Sequence, residues 1–181
     1  AGFPLTPSQS SIISMLTLAL PAIALAQWAR PGPLPDVSIS RRLVRFVIPA
    51  MITITAASIL IYLYFIVTTG DIAYAQLALT YTLIGTGLIL VVFVEPPSEF
   101  WVGGDDLAGD WRPTLLALGL LVFFFAGLQI PPLREFYGFS DLHQPLDYVV
   151  IIGTTVIWAF VQRFVWCARL VERYLGVDLS S

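Results

Sequence analysis

The 181-residue chain is 57% hydrophobic and 12% charged, with a mean hydropathy of +0.85, which excludes an ordinary soluble domain of ~45–50% apolar content. The net charge of −3 is spread without a basic face for nucleic acid. A single cysteine, Cys167, excludes an internal disulfide.

Five apolar stretches are predicted to be helices, at Ser11–Ala29, Phe46–Thr68, Ile72–Val94, Thr114–Ile130 and Tyr148–Cys167. Each is close to the ~20 residues that cross a bilayer. Ala1–Ser10 reads as a Pro-containing lead outside the membrane. In the first stretch, Pro21 has no N–H for the Thr17 carbonyl, so a kink or local unwinding is expected there. Ser14 and Thr17 precede it on one helical face, and hydroxyls beside freed carbonyls are hard oxygen ligands for a cation. The alternative is that these hydroxyls bond their own backbone and pack a kinked helix.

The connection from Arg30 is held extended by three prolines and a glycine, and Arg41, Arg42 and Arg45 mark the return to the membrane. Pro49 is expected in the first turn of the second stretch, where a missing N–H costs least. Only Thr69, Gly70 and Asp71 separate the second and third stretches, so these pair as a hairpin, with Tyr62, Tyr64 and Tyr74 as an interfacial belt. In the third stretch Gln76 and Thr80 share a face, suited to helix-to-helix hydrogen bonding or to lining a pathway, alongside Thr82. Gly85, Gly87, Gly119 and Gly153 read as close-packing points.

The connection Glu95–Arg112 is acidic, but Asp105, Asp106 and Asp110 lack the alternating spacing of a calcium loop, and Gly103-Gly104 lacks the Lys-Ser/Thr of a phosphate loop. The fourth stretch ends at Pro131-Pro132, ahead of a connection that carries the lone His143. No second histidine or cysteine accompanies it for zinc. In the fifth stretch Arg163, beside Gln162, is placed to snorkel to the interface.

Arg30, Arg41, Arg42, Arg45, Arg112, Arg163, Arg169 and Arg173 fall on one side of the resulting zigzag and Arg134 alone on the other. The positive-inside rule then sets the N-terminus outside and the C-terminus in the cytoplasm. The expected fold class is an all-α polytopic membrane helix bundle of five transmembrane helices, one domain over residues 1–181. No Asp or Glu lies within any of the five stretches, which disfavours a self-contained ion pump, channel or carrier. The start at Ala1 and the odd number of spans point to a piece of a longer polypeptide.

Phe3-Pro4-Leu5-Thr6-Pro7-Ser8-Gln9, followed by Leu16-Thr17-Leu18-Ala19-Leu20-Pro21-Ala22, resembles the fifth-to-sixth helix turn and the sixth helix of P-type cation-transporting ATPases. Glu95-Pro96-Pro97, Gly103-Gly104-Asp105-Asp106, Asp110-Trp111-Arg112-Pro113-Thr114 and Pro131-Pro132-Leu133-Arg134-Glu135-Phe136 follow in an order that looks like a bacterial branch of that family. The resemblance covers the chain as the sixth to tenth membrane helices of such a pump, in the bacterial inner membrane. It implies that Thr17, and Ser14 with it, lie on the cation path beside the Pro21 kink. Where muscle-type calcium pumps carry an Asp three residues before that proline and an Asn seven before it, this chain has Leu18 and Ser14; Thr17 is kept. The acidic ligand that those pumps place on the eighth helix has no counterpart here.

The family's phosphorylation motif, phosphatase loop and hinge motif are absent from this sequence, which therefore carries no catalytic residue and no cofactor site of its own. ATP and Mg2+ would act only through a catalytic portion elsewhere. The implied partners are the lipid bilayer and the remainder of the pump. The alternative reading is a non-catalytic accessory subunit that packs against other membrane subunits, with pigment or lipid between its helices.

Overall fold

The computed structural model describes residues 5–28, 39–94, 110–139, 142 and 144–167, with side chains of the second segment described from Phe46 onward. The described residues form helices and turns with no strand. In chain order the helices are α1 (Pro7–Trp28), α2 (Ile39–Thr69), α3 (Ile72–Val94), α4 (Arg112–Gly127), α5 (Pro131–Phe136) and α6 (Pro145–Cys167). Four of them, α1, α2, α3 and α6, are long and apolar enough to cross a membrane. Four such helices are compatible with a membrane protein.

Each boundary has a local cause. α1 starts four residues earlier than its apolar content predicts, because Thr6 and Gln9 close a capping box. The Thr6 hydroxyl accepts from the Gln9 N–H at 3.3 Å, Gln9 Oε1 accepts from the Thr6 N–H at 3.1 Å, and Pro7 occupies the first turn. The supposed lead is therefore partly helix, and Gln9 is buried. The α2–α3 hairpin forms as expected. Gly70 takes φ +69°, the left-handed conformation that ends a helix, and donates its N–H to the Ile66 carbonyl at 2.9 Å. Asp71 then caps α3, its carboxylate accepting from the Ala73 N–H at 2.8 Å.

Three expectations fail here. Pro49 does not begin its helix: α2 already runs from Ile39, so Pro49 lies inside it. The fourth stretch does not continue to Ile130. α4 stops at Gly127 after 16 residues, and Pro131-Pro132 nucleate the short helix α5 where a plain connection was expected. At ~1.5 Å per residue, 16 residues give about 24 Å, short of the ~30 Å hydrocarbon core. Tyr74 does not join an interfacial belt; it is 3% exposed and turned into the bundle, while Tyr64 stays exposed.

α3 is the hub. Well over half of its membrane-length window is buried, against a third or less in α1, α2 and α6. It touches α1, α2, α4 and α6. Two of its glycines make that possible. Gly85 receives Thr155 of α6, and Gly87 receives Thr17 of α1. Nothing lies within 4 Å of a Cβ position at Gly119 or Gly153, so these two are not packing points among the described residues.

The core divides in two. The larger cluster centres on Phe65, Tyr74, Leu77 and Ile84 and includes Leu16 of α1. The smaller gathers Ala50, Ala57, Phe93, Trp158, Ala159 and Trp166 at the far end from Gly70. There Trp166 stacks on Phe46 with centroids 4.7 Å apart and meets Phe93 edge-on at 4.9 Å.

Candidate functional site

The residues around Pro21 form a five-residue π-helix, Met15–Ala19, set between two α-helical halves of α1. The Leu20 N–H reaches back to the Met15 carbonyl, one residue further than in an α-helix. Leu16 thus loses its ordinary donor to Met15, and Thr17 loses its own because Pro21 has no N–H. Two consecutive carbonyls are released from the regular ladder at the position where a kink or unwinding is expected.

Side chains divide the same segment by face. Leu16 is 1% exposed and Pro21 is buried, so both anchor α1 to the bundle. Thr17 is half-buried against Gly87, and its hydroxyl donates to the Ile13 carbonyl at 2.8 Å. Ser14 is exposed. Leu18 is 68% exposed and faces away from the bundle. No group of three His, Cys, Asp or Glu able to hold a metal occurs among the described residues. Oxygen donors at the bulge are therefore carbonyls and hydroxyls alone.

Among the described residues the threonines of α3 do not bond across helices. Thr80 donates to the Gln76 carbonyl at 2.8 Å, Thr82 to Ala78 at 2.9 Å and Thr86 to Thr82 at 2.8 Å, each within its own helix. A buried hydroxyl four residues after an available carbonyl finds its acceptor without a neighbour.

Two inter-helix polar contacts among the described residues lie at the ends of the bundle. At the Gly70 end, the Tyr74 hydroxyl donates to Asp147 Oδ2 at 2.5 Å, tying α3 to the first turn of α6. At the other end, the Trp158 Nε1–H donates to the Thr53 hydroxyl at 3.1 Å, and that hydroxyl also contacts Gln162 Oε1 and the Pro49 carbonyl, the latter at 2.9 Å. Gln162 is fully buried, and among the described residues its Nε2 has no partner; neither has Trp166 Nε1. Sequence reading passed over this cluster, although Trp158, Gln162 and Trp166 recur every four residues on one face of α6, which is its visible signal.

A cavity of about 450 Å³ opens between α3, α4 and α6, lined almost wholly by apolar side chains. His143, Gly103-Gly104, Asp105, Asp106 and the Arg30–Arg45 side chains lie outside the described residues or have side chains outside them. Comparison with family models, curated proteins and solved structures finds no match to this chain.

Proposed function

We propose that this chain is the C-terminal transmembrane region, the sixth to tenth helices, of a P-type cation-transporting ATPase, with five spans, an outside N-terminus and a cytoplasmic C-terminus. The observation that carries the reading is the π-helix at Met15–Ala19, which releases the Leu16 and Thr17 carbonyls beside Pro21. A transport helix needs backbone oxygens at membrane depth that its own ladder does not consume, and irregular backbone survives there only against protein or water. The Thr17 hydroxyl would add to these oxygens when it turns from Ile13, with Ser14 a turn earlier. α3 and α4 touch α1 directly and, with α2 and α6 packed on α3, would hold it in place. ATP hydrolysis would reside in polypeptide beyond this sequence, and the chain is not catalytic on its own.

One observation favours a second reading, a non-catalytic accessory subunit: Thr17 is wedged against Gly87 with its hydroxyl already bonded. The intact mass of the native protein separates the two. A mass several times the 19.9 kDa of this chain supports the pump; a mass near it supports the subunit. In a pump, Thr17→Val with Pro21→Ala lowers ion-dependent ATPase activity or ion affinity, and unchanged values for both in the double variant remove the site assignment.

A further inference from the structure

We propose that the second half of α1 switches between two registers one residue apart, and that the switch presents or withdraws the Leu16 carbonyl as a cation ligand. The switch stands on the geometry of α1 alone; its link to a cation rests on the pump reading.

The first half of α1 sets an inward stripe: Gln9 and Leu16 are buried and Ile13 is half-buried. Carried on through an unbroken α-helix, the same steps of four and three residues lead to Leu20, Ile23 and Gln27. The structure turns a different set inward. Beyond a half-buried Leu20, Pro21 is buried and Ala24, Leu25 and Trp28 are half-buried, while Ile23 is 58% exposed. The stripe of Leu20–Trp28 is thus advanced by one residue, the residue that the π-helix Met15–Ala19 absorbs.

The two registers are closely matched. Leu20, Ile23 and Ala24 would lead the inward face of one, as Pro21, Ala24 and Leu25 lead that of the other, so both offer apolar surface to the bundle. Leu20–Trp28 packs against α4, whereas Pro7–Ala19 packs against α3, where Thr17 is held at Gly87. The second half can therefore change face while that seat is kept. Straightening moves the Leu20 N–H from the Met15 carbonyl to that of Leu16, so a bond is exchanged and none is lost. Pro21 has no N–H to place in either register.

What changes is the supply of oxygen. In the π register the Leu16 and Thr17 carbonyls are both released; in the straight register Leu20 takes the first and only Thr17 stays free. Cations gather several oxygens at once. One that uses both carbonyls binds the π register better, and a ligand draws a two-state equilibrium toward the state it binds better. Ion occupancy and the facing of Leu20–Trp28 on α4 are then one equilibrium.

The test is pulsed electron–electron resonance on the intact protein in lipid discs, with native cysteines replaced. One spin label sits on Leu118 of α4, which is 57% exposed, and the other on Ile23 or Leu25. Each pair should give two distances. A turn of ~100° on a helix of ~5–6 Å radius separates them by up to roughly 8 Å. A label at the exposed Ser11, in the first half, should give one. Gln27→Leu, which removes the polar residue from the straight stripe, should raise the straight population about two-fold or more. Deleting the exposed Leu18 removes the extra residue and should leave only the π-register distances; if that variant does not assemble, Gln27→Leu decides. At least one of Ca2+, K+ and Na+ should deplete the straight population about two-fold or more. A single distance at both Ile23 and Leu25, unmoved by Gln27→Leu, would overturn the two registers. Two distances that none of the three cations shifts would overturn the cation link, and with it the placing of these carbonyls on an ion path.

Discussion

Thr17 of α1 is seated in the space left by Gly87 of α3: a carbon added at Gly87 would lie 2.6 Å from Thr17 Cγ2 and 2.7 Å from its Cβ. Both distances are below any tolerable carbon contact, so the two helices approach as closely as they do only because α3 has no side chain there. Small residues at helix crossings in membranes work by permitting this approach.

Gly87→Ala should therefore push α1 from α3 and cost about 1–3 kcal/mol, the usual range for overpacking. The rescue pattern is diagnostic. Thr17→Ala should relieve little, because its Cβ stays; Thr17→Gly should relieve more. Thermal inactivation midpoints in detergent would show the order, and full rescue by Thr17→Ala would contradict the contact.

Gly85→Ala should behave differently. Its nearest neighbour is Thr155 Cγ2 at 3.0 Å, with Thr155 Cβ at an ordinary 3.8 Å. The penalty should be smaller than at Gly87, and Thr155→Ser, which removes only Cγ2, should abolish most of it. The same inactivation assay checks both the ranking and the rescue.

The polar cluster of α2 and α6 gives an asymmetric pair. Thr53→Val deprives the buried Trp158 Nε1–H of its acceptor, leaves Gln162 Oε1 without its contact, and should cost about 1–2 kcal/mol. Gln162→Leu removes an amide whose Nε2 is already unpartnered and should be close to neutral. A larger loss from Gln162→Leu than from Thr53→Val, measured by chemical unfolding in mixed micelles, would mean that Nε2 has a partner in the membrane.

Tyr74→Phe removes the hydroxyl that joins α3 to Asp147. The loss should be about 1 kcal/mol, since Asp147 is only half-buried and regains water. Asp147→Leu should cost a similar amount, and the double variant should be less than additive; strict additivity in a double-mutant cycle would deny the bond.

The sequence displays what depends on composition and on local chemistry. Hydropathy locates α3 to the residue, and the Thr69-Gly70-Asp71 turn announces its own hairpin. Pro21 marks the irregular turn in α1, and the glycines of α3 mark two crossings. Hidden from it were features decided by packing between distant segments. The inward turn of Tyr74 depends on Asp147, which is 73 residues away, and the Thr53–Trp158 contact spans 105. The helical extension ahead of Pro49 and the early stop of α4 reflect competition between a proline's local preference and the segment around it. The bulge at Met15–Ala19 lies between: the proline forecasts irregularity, but whether the helix kinks or widens is set by packing, with Thr17 seated on Gly87 of α3.

A π-turn carries one residue more than the α-turn it replaces. Each residue of an α-helix accounts for ~100° about the axis, so straightening Met15–Ala19 would swing Leu20–Trp28 through roughly that angle relative to Pro7–Ser14. Pro21 would leave the bundle and another side chain would take its place, while the capped half at Thr6 and Gln9 stayed where it is. α1 is in this respect a shaft with a swivel: its two halves are joined by a bearing one residue wide, and either can turn without dragging the other.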